Sequence, residues 1–353
     1  MVHYQENFEK YSTIPLSSKI LLILLIGSLS MYFAEVYAGS STIWIVNSWS
    51  VLMTFPLYTF HLLFFLNVAI YFKKTSFPHL YILGIIFGLY EAIITKVLWS
   101  GYPGSDGPIF GLIGGIAIGE FNTLCFFWHP ILAFILPIFI FQLLSIFSHS
   151  TDIPPLFPSF NKDLEYSRKN LLLLFLISLI GGSILAINTQ GNVLISLGAI
   201  LSSWLIIIIL FLLIKRKTPN FSIYSLKLSR KGMIIVVLYL GLLYSITGMF
   251  LLPEKIPRNI IPLIIIVTCY IILTLIFFLA KSVQESPENK ENSVIYITKT
   301  HIVIFQIIFL LLTTIASFFL GLSIFISIIF TILIQIIGPL FFVLNVFKLF
   351  KKR

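Results

Sequence analysis

Residues 84–130 read GIIFGLYEAIITKVLWSGYPGSDGPIFGLIGGIAIGEFNTLCFFWHP. Two of the three acidic residues that the chain places inside apolar segments lie here, Glu91 and Glu120; the third is Glu35. Lys96, His129 and a series of glycines complete the stretch. How this stretch meets a lipid bilayer decides the fold, because every later loop changes side with it.

The surrounding chain makes the bilayer the solvent to consider. Of its 353 residues 58% are hydrophobic and 10% charged, and the mean hydropathy is +1.04. A soluble domain carries about 25% charged residues. Apolar runs near 20 residues long read as spanning helices. The fold class is therefore all-α, a polytopic membrane helix bundle. No long polar stretch could fold separately, so residues 1–353 read as a single transmembrane domain, with a polar-site half at 18–150 and an apolar scaffold half at 168–347. Cys125 and Cys269 both sit in apolar runs and suggest neither a disulfide framework nor a zinc site.

The net charge of +10 falls in short loops. Its clusters are Lys73-Lys74, Lys215-Arg216-Lys217, Arg230-Lys231, and Lys348 with Lys351-Lys352-Arg353. This is the pattern of cytoplasmic loops facing anionic headgroups. Membrane lipids are the implied partner, and nucleic acid is not.

Spanning helices are expected at about 18–38, 47–72, 78–100, 130–150, 168–187, 191–214, 231–252, 258–280, 300–320 and 323–347. Between the third and fourth lies the apolar, glycine-rich segment 109–128. A full crossing there would put loop 215–231, with its six Lys or Arg residues, outside. A re-entrant element at 109–128 keeps every basic cluster inside. About ten transmembrane helices, a re-entrant element, a cell-membrane location and cytoplasmic N- and C-termini follow. Loop 281–299 reads as a flexible cytoplasmic connection.

This topology draws Glu35, His61, Glu91, Lys96, Glu120 and His129 toward the extracytoplasmic half. A charge at bilayer depth costs at least about 2.5 kcal/mol on insertion scales, so such residues are rare and point to function. Steps of three and four residues group them with polar neighbours. Ser28, Tyr32 and Glu35 share one face; Ser50, Thr54, Tyr58 and His61 a second; Gly84, Gly88, Glu91 and Thr95 a third. The glycines of the third face admit a neighbouring helix and turn Glu91 into the bundle. Lys96, five residues on, points elsewhere and is expected to pair with Glu35 or Glu120. Asp106 reads as a solvated turn residue. His61 also fits a hydrogen-bonded core group, and His129 before Pro130 a turn cap.

Glu91-Ala92-Ile93-Ile94-Thr95-Lys96 loosely resembles the EExxxR motif of the CAAX-type intramembrane glutamic proteases, and Phe126-Phe127-Trp128-His129 resembles that family's second motif. The resemblance implies that Glu91 and His129 activate water for hydrolysis. Ala92 stands in place of the second glutamate and Lys96 in place of the arginine. His149 has Ile153 four residues on, where the family has asparagine.

HExxH, GxSxG and Walker motifs are absent from the sequence. Three classes of function stay open. One is a membrane-embedded enzyme acting on a lipid or lipid-linked substrate, with Glu91, Glu120, His129, His61, Lys96 and Glu35 at its site. A divalent metal ion held by Glu91, Glu120 and His129 is the cofactor this donor set admits. The others are a proton- or cation-coupled transporter and a non-catalytic assembly subunit.

Overall fold

The computed structural model describes residues 14–103, 105, 107–148, 167–282 and 298–351. Asp106 and nearly all of the connection 281–299 lie outside these residues.

Among the described residues, nine helices are long and apolar enough to cross a membrane. They are α1 (Leu16–Val36), α2 (Ser50–Tyr71), α5 (Ile118–Ser148), α6 (Arg168–Asn188), α7 (Val193–Lys217), α8 (Arg230–Phe250), α9 (Ile261–Leu279), α10 (Thr300–Phe318) and α11 (Leu320–Phe350). A shorter apolar helix, α3 (Phe77–Ile93), makes a tenth. One turn, α4 (Val97–Ser100), follows it, and a two-stranded hairpin, β1 (Leu112–Ile113) with β2 (Ile116–Ala117), precedes α5. Aliphatic residues on α7, α8, α9 and α11 stand exposed, among them Leu205, Leu238, Ile264 and Ile336. A helix apolar on every side needs either a protein interior or lipid around it. The chain is an integral membrane protein with an all-α architecture.

Segment 109–128 differs from the expected re-entrant element. Only residues 109–117 are non-helical; from Ile118 the chain is helical through Pro130 to Ser148. At 31 residues α5 is about 46 Å long, more than a bilayer core requires. Its middle, Leu124–Ile135, is a π-helix that contains Pro130. Proline removes an N–H from the ladder and crowds the carbonyl four residues back. That carbonyl, of Phe126, accepts a hydrogen bond from the Tyr81 hydroxyl at 2.8 Å. The wider turn and the tyrosine let the helix pass a residue that reads as a boundary in the sequence.

The contacts sort into two compact units, each drawn from three stretches of chain. In the first, 1–59, 136–227 and 284–330, α6 packs on α10, and α1 on α7 and on the second half of α5. Gly181 accepts the Tyr37 ring so closely that an added Cβ would sit 2.1 Å from it. Trp204 Nε1 donates to the Tyr32 hydroxyl at 2.7 Å, which donates to Gln306 Oε1 at 2.7 Å.

In the second unit, 60–135, 228–283 and 331–353, α3 lies against the π stretch of α5 and against α9. Gly84 and Gly88 make the first of these contacts possible. A Cβ on Gly84 would lie 2.5 Å from Pro130 Cα, and one on Gly88 3.1 Å from His129 Cβ. Close approach through small residues four apart is a membrane-helix device.

Candidate functional site

The close contact of α3 with α5 brings Glu91 to His129. Glu91 Oε1 lies 2.9 Å from His129 Nε2, and the two are 7% and 0% exposed. Thr95, one turn beyond Glu91, donates its hydroxyl to the other carboxylate oxygen and to the Glu91 carbonyl, the latter at 2.9 Å. The carboxylate is thus engaged on both oxygens. Aromatic rings surround the imidazole: Tyr90 lies edge-on at 4.9 Å and Phe87 at 5.5 Å between centroids.

His61, from α2, packs on the same two rings, 4.9 Å from Phe87 and 5.5 Å from Tyr90. It lies 3.1 Å from the Tyr244 hydroxyl, itself 3.4 Å from that of Tyr270. The two histidines therefore pack against the same two rings.

Lys96 is fully buried, and among the described residues no carboxylate forms a salt bridge with it. Its ammonium donates to the carbonyls of Thr247 (2.6 Å), Ile94 (3.2 Å) and Leu251. Thr247 and Leu251 lie at the C-terminal end of α8, where the Thr247 carbonyl also accepts from the Leu251 N–H and a cation is favoured. The expected pairing with Glu35 or Glu120 is replaced by this cap. Lys96 itself sits at φ 62°, which separates α3 from α4.

Glu120 lies in the first turn of α5, 0% exposed. Its Oε1 accepts from the Ile109 N–H at 2.8 Å, which ties the hairpin region to the helix start. Among the described residues its Oε2 has no hydrogen-bond partner, and neither do Trp99 Nε1 nor Thr123 Oγ1. The turn that follows α4 carries Tyr102. Burial raises the pKa of its hydroxyl, and the charges of Glu91 and then Glu120 raise it further. Tyr102 therefore lies in the field of both carboxylates.

Glu35 belongs to the first unit. It sits in a π turn, Tyr32–Val36, and accepts hydroxyl hydrogen bonds from Tyr58 (2.7 Å), Ser40 (2.6 Å) and Ser41 (2.8 Å). These bonds tie the end of α1 to α2 and to the loop between them.

Among the described residues, no three His, Cys, Asp or Glu side chains gather as a metal ion would need. The candidate trio Glu91, Glu120 and His129 contains one contacting pair and no common donor set. Sequence reasoning passed over Tyr81, Tyr90, Trp99, Tyr102, Thr123 and Tyr244. Each is a residue type that membrane helices use freely for packing, so none carries a local signal.

A family described as "Uncharacterized membrane protein family" matches residues 24–351. An uncharacterized protein of Archaeoglobus fulgidus is 35% identical over 222 residues, covering 63% of this chain and 67% of the relative. No solved structure matches the chain.

Proposed function

The chain belongs to that uncharacterized membrane protein family, and from this premise we propose a membrane-embedded enzyme whose Glu91–His129 pair moves a proton on a lipid or lipid-linked substrate. The observation that carries the reading is the 2.9 Å contact between two ionisable groups from different helices, buried in an apolar bundle. Buried ionisable groups in a membrane are costly and mark functional sites by default. A carboxylate on one imidazole nitrogen fixes the ring's orientation. His129 would take a proton from water or a substrate hydroxyl and return it to the leaving group. Glu91 would orient it, and Thr95 would hold Glu91. The resemblance to intramembrane glutamic proteases assigns the same two residues to water activation, which agrees with their contact.

The location we propose is the cell membrane, with both termini cytoplasmic and the pair nearer the extracytoplasmic end. Charge supports this orientation. If α1, α2, α3 and α5 to α11 each cross once, Lys73-Lys74, the 215–231 loop and the C-terminal cluster all share one side.

A second reading, a proton-coupled transporter, draws on the His61–Tyr244–Tyr270 chain of hydroxyl contacts, at 3.1 and 3.4 Å. One experiment separates the two. Protein reconstituted in vesicles of mixed polar and neutral lipids is followed for new lipid species by mass spectrometry and for proton flux by a pH dye. The enzyme reading expects new lipid species with wild type, none with Glu91→Gln, and no flux. Flux that Glu91→Gln abolishes would favour transport. Neither signal would leave a non-catalytic assembly subunit.

A further inference from the structure

Among the described residues, Trp99 Nε1, Glu120 Oε2 and Thr123 Oγ1 are buried polar atoms with no hydrogen-bond partner. They belong to elements that touch. Turn α4, which carries Trp99, packs against β2 and the first turns of α5, which carry Glu120 and Thr123. Glu120 and Thr123 are three residues apart, the spacing that puts two side chains on one helix face. Their exposures are 8% for Trp99, 0% for Glu120 and 8% for Thr123. A buried polar group left unsatisfied costs about 1–3 kcal/mol, and His79, Gln142, Ser148 and Asn345 carry such atoms too; what sets these three apart is that they sit on adjoining elements, where one partner could serve them all.

Backbone geometry draws this group toward the catalytic pair. Nine residues separate Glu120 from His129, which at 3.6 residues per turn would place them on opposite faces. The π stretch beginning at Leu124 holds more residues in each turn and reduces that separation. The charges of Glu91 and Glu120 both act on Tyr102, in the turn that follows α4.

We propose that Trp99, Glu120 and Thr123 form a subsite for a hydroxyl group of the lipid substrate, beside the Glu91–His129 pair. This rests on the enzymatic reading above and names its substrate class: a lipid with a neutral, hydroxyl-bearing headgroup. The atoms select it. The indole N–H can only donate, so the ligand must accept; Glu120 as a carboxylate can only accept, so the ligand must donate; the Thr123 hydroxyl serves either role. A hydroxyl does both. An ammonium group cannot accept from Trp99. A phosphate would face Glu120 and Glu91 across a low-dielectric interior, and Lys96, the lysine of this stretch, is committed to three carbonyls.

Binding tests this without requiring turnover. The probes are dioctanoylglycerol and dioctanoyl phosphatidic acid, which share their acyl chains and differ in headgroup. Each is titrated into the purified full chain in detergent micelles, and the melting temperature is followed. Dioctanoylglycerol should raise it saturably and phosphatidic acid should not. Glu120→Gln should weaken the apparent affinity at least about tenfold, as loss of a hydrogen bond to a charged group does. Trp99→Phe and Thr123→Val should weaken it about threefold or more, and they carry the test if Glu120→Gln fails to fold. His129→Gln should keep the shift. Equal stabilisation by the phosphate lipid overturns the proposal. So does a glycerol-lipid shift indifferent to all three substitutions, or no shift with either probe, which would leave buried water as the partner. A shift without turnover would sink the catalytic reading alone; turnover without a hydroxyl-dependent shift would sink the subsite alone.

Discussion

Glu91 is engaged on both oxygens, by Thr95 and by His129. That arrangement sets the size of two substitutions. Glu91→Ala removes the carboxylate that His129 contacts inside the bundle, and breaking a buried pair from one side costs about 3–5 kcal/mol. Glu91→Gln keeps a carbonyl for Thr95 and an amide for His129 and should cost about 1–3 kcal/mol. Unfolding of the detergent-solubilised protein would measure both; equal losses would mean that His129 does not depend on this carboxyl group. Glu91 could be found from sequence because an acid in an apolar run stands out. Thr95 could be found from its spacing. Lys96 stood out equally, yet its partners could not be read, because backbone carbonyls have no side-chain signature. Tyr81 was hidden for another reason. In a chain with 15 tyrosines and 35 phenylalanines, one hydroxyl that completes a helix ladder looks like packing.

The informative element is α5. Its sequence suggested two pieces, a glycine-rich element and a helix after Pro130, because proline is a probable helix boundary. The physical outcome is one long helix with a π stretch. Among the described residues nine helices are long and apolar enough to span, against the ten expected, with α3 a shorter apolar helix; within 109–128 only the nine residues 109–117 are non-helical. The glycine stripe on α3 was legible, and its neighbour was not, since nothing local says which helix a small-residue face receives. The two glycine environments make a paired expectation. Gly84→Val would drive a side chain into Pro130 and cost about 1–3 kcal/mol, whereas Gly241→Ala, with nothing within 4 Å, should leave stability unchanged or slightly raised. Thermal melts of the two variants in one detergent would check this. A stable Gly84→Val protein would contradict the packing of α3 on α5. Tyr81→Phe should cost about 1–3 kcal/mol by leaving the Phe126 carbonyl without its donor.

At the scale of the whole chain, lysines close helices in the second unit. Lys96 caps α8, and Lys74 donates at 2.7 Å to the carbonyls of Phe277 and Phe278 at the end of α9. They flank α3 at opposite ends, so α8 and α9 run in opposite directions, as consecutive spanning helices must. An impermeant thiol reagent should therefore label Lys217→Cys and Lys255→Cys from opposite sides of sealed vesicles, Lys217→Cys from the cytoplasmic side. Labelling of both from one side would remove the crossing assigned to α8. The membrane bundle was plain from composition; the pairing of Glu91 with His129 was suggested by the family resemblance, but its geometry was not legible, because it depends on glycines, a π turn and a proline acting together. The central claim is that these two residues work as one catalytic unit, and such units give non-additive losses. The direct measurement is the rate of lipid-product formation in vesicles for wild type, Glu91→Gln, His129→Gln and the double variant. The account expects each single change to cost about 10²- to 10⁴-fold, with the double variant no slower than the slower single. Losses that multiply, or a rate that neither change alters, would contradict it.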